Sequence, residues 1–118
     1  MTFLAIDQGT TSTRGLIVDE QGRTDVIFSK PHRQIYPHSQ WVEHDPEELL
    51  THILACIDLG RGRGVRAFGI ANQGESCLAW DAQTGKALSP VIVWQDARTQ
   101  EKIEHLRADG SEATVLQR

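Results

Sequence analysis

The 118-residue chain has only two cysteines, Cys56 and Cys77, and no apolar run that approaches the ~18 residues of a membrane span. Two thiols outside any metal-type spacing argue against a disulfide scaffold and against a zinc ribbon. The amino terminus reaches Asp7 too early for the apolar stretch of a signal peptide. These absences predict a cytoplasmic protein with no membrane partner.

Basic residues are also scarce, since 12 Lys and Arg stand against 16 Asp and Glu and leave a formal net charge of -4. This balance gives no electrostatic reason to expect a nucleic-acid partner. Apolar residues make up 39% of the chain and charged residues 24%, as in globular proteins. The length suits one domain.

Short β-branched and apolar runs predict three strands at residues 3–6, 14–18 and 24–28, joined by tight turns into an antiparallel meander. After an irregular segment, Asp45 is expected to cap a helix, with Pro46 in its first turn and Glu48 closing a capping box. Apolar residues at helical spacing continue to Gly60, which is expected to end the helix. A buried strand at 65–71 then predicts a crossover onto the meander, so the fold class is α/β.

The remaining chain predicts a hairpin of strands at residues 76–80 and 87–94, joined by a turn-rich stretch. A second helix is expected from Ala97 to Asp109, and Ser111 could cap a third. The five histidines show no ligand-type spacing, so no metal is assigned to them.

The most informative stretch is residues 7–14, in which Asp7 ends the first predicted strand, Gly9 allows a turn, and four hydroxyl residues follow. Backbone N–H groups and hydroxyls of this kind can hold a metal-bound polyphosphate. The stretch matches neither G-x-x-x-x-G-K-[ST] nor G-x-G-x-x-G. An ordinary polar hairpin turn is the alternative.

Two further polar clusters follow predicted strands, where open α/β sheets bind their ligands. Residues 72–76 carry amides and a carboxylate suited to a hydroxyl-rich substrate, although a plain polar loop would look the same. Residues 93–99 place Trp94 beside two charges, an arrangement that can bind the apolar and polar sides of a polyol. The alternative is a core Trp94, with Asp96 capping the following helix.

Together, four blocks resemble the amino-terminal part of the FGGY carbohydrate kinases, most closely the glycerol-phosphorylating branch. The matching text is Ala-Ile-Asp-Gln-Gly-Thr-Thr-Ser-Thr-Arg (5–14), Gln-Ile-Tyr-Pro (34–37) with Trp-Val-Glu-His-Asp-Pro (41–46), Gly-Ile-Ala-Asn-Gln (69–73) and Val-Ile-Val-Trp-Gln-Asp-Ala-Arg-Thr (91–99). Four blocks in one order are far more specific than any single block.

The resemblance implies a ribonuclease H-like (actin/hexokinase-type) fold that binds ATP and Mg²⁺ in a cleft beside a second domain. It implies a polyol or sugar as the small-molecule substrate and leaves a homo-oligomer open. Asp7 would lie near the magnesium ion, and Arg14 would contact the nucleotide phosphates. The other residues it implies are the loop residues Gly9, Thr10, Thr11 and Ser12 near the transferred phosphoryl group, and Gln73, Gly74, Glu75 and Trp94 at the substrate.

Two departures from the family pattern qualify this expectation. Gly74 stands where the glycerol-phosphorylating branch has an arginine, which makes a larger or different substrate plausible. Family members are also several times longer, and their catalytic base is expected beyond Arg118. The chain is therefore expected to be an amino-terminal portion, inactive alone. A short relative that only binds a ligand or partner is the alternative, and a glycerol-specific kinase despite Gly74 stays open.

Overall fold

In a computed structural model, which describes residues 1–117, six strands and three helices form a mixed α/β fold. The elements are β1 (Thr2–Gln8), β2 (Ser12–Asp19), β3 (Thr24–Pro31), β4 (Glu43–His44), α1 (Pro46–Arg61), β5 (Ala67–Ala71), β6 (Val91–Ile92), α2 (Gln100–Ala108) and α3 (Ser111–Leu116). Among these residues, no helix has both the length and the apolar character needed to cross a membrane.

The main sheet has the strand order β3-β2-β1-β5. The pairs β1–β2 and β2–β3 are antiparallel, which confirms the predicted meander. The chain then passes through α1 and adds β5 parallel to β1, which confirms the predicted crossover. The α/β fold class inferred from the sequence is therefore correct.

The hydrophobic core lies between α1 and one face of the meander. Leu4 and Ile6 alternate with exposed residues along β1 and pack with Cys56 of α1, all three at most 2% exposed. The helix ends one residue later than predicted, at Arg61, and Gly60 is buried within it. A Cβ at Gly60 would lie 3.0 Å from Leu4 Cδ2, so this glycine allows close packing of helix on strand.

The start of α1 shows one correct prediction and one error. Asp45 is the N-cap, and its side chain accepts a hydrogen bond from the Glu47 N–H at 2.9 Å. The predicted capping box is wrong, because the Glu48 carboxylate accepts from the Arg33 N–H at 3.3 Å instead. Glu48 therefore ties the helix to the preceding irregular segment.

β5 differs from the predicted buried strand, since it begins at Ala67 and all five of its residues are exposed. It occupies the edge of the sheet, while α1 packs over β1, β2 and β3. Phe68 and Ile70, 53% and 46% exposed, thus lie on the helix side of the sheet but beyond the helix.

The predicted strands at 76–80 and 87–94 are also wrong in extent. Only isolated pairs, Cys77 with Ile92 and Trp80 with Ala87, connect them, and β6 pairs mainly with β4. Pro90 has no N–H to donate, and the Ser89 hydroxyl takes the place of a carbonyl by accepting from the Ala79 N–H at 2.9 Å. Both features interrupt the ladder.

The two carboxyl-terminal helices differ from prediction at their starts. α2 begins at Gln100 rather than Ala97, whose N–H instead donates to the Gln40 carbonyl at 2.9 Å. α3 is present, but Ser111 does not cap it: its N–H donates to the Asp109 carboxylate at 2.9 Å, and Gly110 is the N-cap.

Candidate phosphate- and substrate-binding site

The site centres on the β1–β2 loop, residues 9–11, at the end of the first hairpin of the sheet. The Gly9 N–H donates to the Ser12 carbonyl at 3.0 Å and closes the turn. A Cβ at Gly9 would lie 3.3 Å from that same carbonyl oxygen, so a larger residue would crowd the turn. Glycine therefore lets the loop close without displacing the Ser12 carbonyl.

All three carbonyl groups of this loop accept hydrogen bonds from the rest of the chain. The bonds run from Gln73 Nε2 to Gly9 O (3.2 Å), from Gln34 Nε2 to Thr10 O (3.1 Å) and from His32 N to Thr11 O (2.9 Å). Within residues 1–117, the N–H groups of Thr10 and Thr11 donate to nothing. A loop whose carbonyls are occupied and whose N–H groups are free is suited to bind an anion.

Asp7 and Arg14 lie side by side on the sheet face opposite α1. They are register partners across β1 and β2, and both side chains are exposed. Ser12, two residues before Arg14, lies on the same face by strand alternation. The Asp7 carboxylate oxygen Oδ1 would be 3.9 Å from a Cβ at Gly9, so it stands beside the loop.

The segment after β5 contacts the β1–β2 loop through Gln73, whose amide donates to the Gly9 carbonyl. Gly74 and Glu75 are exposed next to it, and a Cβ at Gly74 would meet no atom within 4 Å. The Glu75 side chain makes no hydrogen bond within residues 1–117, so it is free to face a ligand.

Trp94 reaches the same loop from the far end of the chain. Its indole N–H donates to the Thr10 hydroxyl at 2.9 Å, across 84 positions of sequence. Its backbone N–H donates to the Ser76 hydroxyl at 3.1 Å. Trp94 is 53% exposed, so part of it remains accessible beside the loop. The structure thus brings together the loop, Gln73 and Trp94, which the sequence singled out separately.

Arg98 forms a largely buried cluster whose contacts with Glu43 and Trp41 the sequence did not indicate. Its guanidinium donates to Asp96 at 2.8 Å and to Glu43 at 2.7 Å, and it lies 3.9 Å from the centre of the Trp41 ring. Asp96 also accepts from the Val42 N–H at 2.7 Å. The alternative in which Asp96 caps the following helix is wrong, because Thr99 is the N-cap of α2. The Arg98 hydrogen bonds hold the pKa of Asp96 down to about 2.

Three buried histidines lie behind the loop, a second feature that their sequence spacing does not indicate. The ring of His32 lies 5.6 Å from that of His44 and 5.5 Å from that of His52. Burial lowers the pKa of both His32 and His44. Across the described residues, no group of three His, Cys, Asp or Glu is arranged to hold a metal ion. The cluster supports the loop through His32, whose backbone N–H donates to the Thr11 carbonyl.

Comparison with known proteins identifies the family of this chain. The N-terminal domain model of the FGGY family of carbohydrate kinases matches residues 2–118. A glycerol kinase of Beutenbergia cavernae is 46% identical over 109 residues, which cover 87% of this chain and 22% of that enzyme. The chain therefore spans less than a quarter of that relative's length.

Two solved structures share the fold. A glycerol kinase of Plasmodium falciparum, solved with ADP, superposes with a TM-score of 0.79 at 32% identity and covers 91% of this chain and 23% of its own. A xylulose kinase of Lactobacillus acidophilus has a TM-score of 0.82 at 22% identity, with 92% and 23% coverage. These neighbours confirm the actin/hexokinase-type fold. Because the family match extends over nearly the whole sequence, the chain belongs to the FGGY family of carbohydrate kinases.

Proposed function

We propose that this chain forms the part of an ATP-dependent polyol or sugar kinase that holds the substrate hydroxyl against the γ-phosphoryl group. The observation that carries the proposal is the direct bonding of the β1–β2 loop to Gln73 and Trp94. A phosphate-binding loop and a substrate surface in contact are what a phosphoryl transfer between them requires.

In this proposal the free N–H groups of Thr10 and Thr11, together with the Ser12 hydroxyl, bind the oxygens of the transferred phosphoryl group. Arg14 binds the nucleotide phosphates on the same face of the sheet. Asp7 would repel those phosphates unless a cation lay between them, and a carboxylate oxygen is a ligand that Mg²⁺ prefers. Bound there, Mg²⁺ would neutralise charge on the phosphates.

The chain would contribute positioning and charge, which account for most of catalysis in phosphoryl transfer. Gln73, Glu75 and Trp94 would orient the substrate so that one hydroxyl oxygen attacks phosphorus in line with the departing ADP oxygen. We assign no catalytic base to residues of this chain.

The open space at Gly74 supports a substrate larger than glycerol. An arginine at this position, as in the glycerol-phosphorylating branch, would extend into the region where no atom lies within 4 Å of a Cβ. With glycine, that region is available to additional carbons and hydroxyls of a longer polyol or a ketose. Gly74 is therefore proposed as a specificity-determining position.

We also propose a cytoplasmic location. Both thiols, the buried Cys56 and the exposed Cys77, are free. Free thiols suit a reducing compartment, and ATP is supplied there.

The test uses the product of the complete natural reading frame, incubated with ATP and Mg²⁺ and a panel of glycerol, four- and five-carbon polyols, and ketoses. We expect ADP release with a substrate longer than glycerol, and a loss of about 100-fold or more in Asp7→Asn. The exposed Arg61→Ala serves as control, since its side chain is 78% exposed and it ends α1 near the start of β1, whereas the loop follows the end of β1. Absence of ADP release with every substrate would contradict the proposal.

A second variant tests the substrate assignment separately. Gly74→Arg should shift preference toward glycerol by about 10-fold or more, because the guanidinium adds donors for a small polyol and fills the open space. If a folded, active variant keeps the substrate preference of the wild type, Gly74 does not determine specificity. The kinase proposal would be unaffected by that result.

A further inference from the structure

Ser76 joins the two sides of the site in a closed ring of hydrogen bonds. The Ser76 hydroxyl donates to Gln73 Oε1 at 2.9 Å and accepts from the Trp94 backbone N–H at 3.1 Å. Gln73 Nε2 donates to the Gly9 carbonyl at 3.2 Å, and the Trp94 indole N–H donates to the Thr10 hydroxyl at 2.9 Å. Since Gly9 and Thr10 are neighbours in the chain, the ring is complete.

The ring permits only one arrangement of its protons. The Gly9 carbonyl can only accept, so Gln73 must present its NH₂ to Gly9 and its amide oxygen to Ser76. An amide oxygen can also only accept, so the Ser76 hydroxyl directs its single proton to Gln73 and accepts from the Trp94 backbone N–H. Rotating that amide by 180° would place two oxygens against each other at Gly9. Ser76 therefore links the Gln73 amide, whose orientation the Gly9 carbonyl fixes, to the Trp94 backbone.

We infer that Ser76 is a positioning residue that sets the distance between the bound substrate and the β1–β2 loop. The inference rests on the proposed function. Ser76 is partly buried beneath the site and acts through Gln73 and Trp94 rather than on the substrate itself. Without the hydroxyl, the Gln73 amide oxygen and the Trp94 backbone N–H each lose their partner, so the link between the two sides of the site is broken.

The decisive comparison is between Ser76→Thr and Ser76→Val in the product of the complete natural reading frame. The two replacements have nearly the same shape and differ in one hydroxyl, so any packing cost is common to both. We expect Ser76→Thr to keep kcat within about 3-fold of wild type. Ser76→Val should lose about 10- to 100-fold in kcat, because a displacement of ~1 Å costs up to 10²-fold in a reaction that depends on positioning.

A matched control lies in the same segment. The Ser89 hydroxyl also accepts a backbone N–H, that of Ala79 at 2.9 Å, and donates to a carbonyl, that of Pro90 at 2.9 Å, but it takes no part in the ring. Ser89→Ala should therefore leave kcat unchanged. Equal losses in Ser89→Ala and Ser76→Val would show a general effect of the hairpin and overturn the inference.

A spectroscopic readout separates this inference from the kinase proposal. In protein labelled with ¹⁵N-tryptophan, the Trp94 indole N–H should exchange with solvent at least 10-fold faster in Ser76→Val than in Ser76→Thr, since its bond to Thr10 depends on the ring. Equal indole exchange rates and equal kcat values in the two variants would overturn the positioning role of Ser76. The proposed kinase function would not be affected by that result. A wild-type protein that phosphorylates no polyol or sugar would overturn the proposed function, and the positioning role with it.

Discussion

Replacing Arg98 by Met is expected to destabilise the protein by about 3–5 kcal/mol, the usual cost of leaving buried carboxylates without their partner. The side chains of Arg98, Asp96 and Glu43 are only 18%, 3% and 11% exposed, so solvent screens their charges weakly. The loss includes the contact of the guanidinium with the Trp41 ring, 3.9 Å from its centre. Met keeps most of the volume, so the expected cost arises from charge rather than from a cavity.

Urea unfolding followed by far-UV circular dichroism measures this effect. With a slope of about 1.5 kcal/mol/M, a loss of 3–5 kcal/mol lowers the midpoint by about 2–3 M. Arg61→Ala is the matched control, because the Arg61–Asp58 pair is 78% and 73% exposed and should contribute no more than about 1 kcal/mol.

Low pH gives an independent check on the same cluster. The pKa of Asp96 is depressed from 3.8 to about 2, so its contribution to stability is present above pH 3.8 and is lost as the pH falls toward 2. This pH dependence should disappear in Arg98→Met. A midpoint within 0.5 M of wild type at neutral pH would refute the reasoning that the cluster is held by a buried ion pair.

Three further predictions concern stability. Burial lowers the folded-state pKa values of His32 and His44 below 6.5, so their contribution to the free energy of unfolding should be full above that pH. Below it, the free energy of unfolding should fall by up to about 1.4 kcal/mol per pH unit for each group. Urea midpoints between pH 7.5 and 5 measure this fall, and a flat profile would contradict it. Gly15→Ala should lower the free energy of unfolding by about 1–3 kcal/mol, because the new Cβ would lie 3.0 Å from the Cys56 sulfur. Urea unfolding of the double variant with Cys56→Ala should show a loss smaller than the sum of the two single losses. A loss equal to that sum would show that the two residues do not clash. Asp45→Ala should cost about 1 kcal/mol through loss of the helix cap, and thermal unfolding unchanged from wild type would argue against that cap.

Local features of the sequence determined most of the main sheet and the first helix. Alternating burial along β1 follows from residues two apart, and the start of α1 follows from Asp45 and Pro46, which act within one turn. The four sequence blocks likewise indicated the family, since their residue types and order are visible without any coordinates. Such features depend on neighbours in the chain, so they can be read directly from it.

The tertiary structure alone decided which distant residues meet. Trp94 bonds to Thr10 across 84 positions, and Arg98 bonds to Glu43 across 55, because the fold brings both segments to one end of the sheet. The exposure of β5 was likewise settled by where α1 lies on the sheet, not by the apolar character of the strand. Sequence spacing does not indicate such contacts, because they depend on strand order and on helix placement. Both are determined only when the whole chain packs.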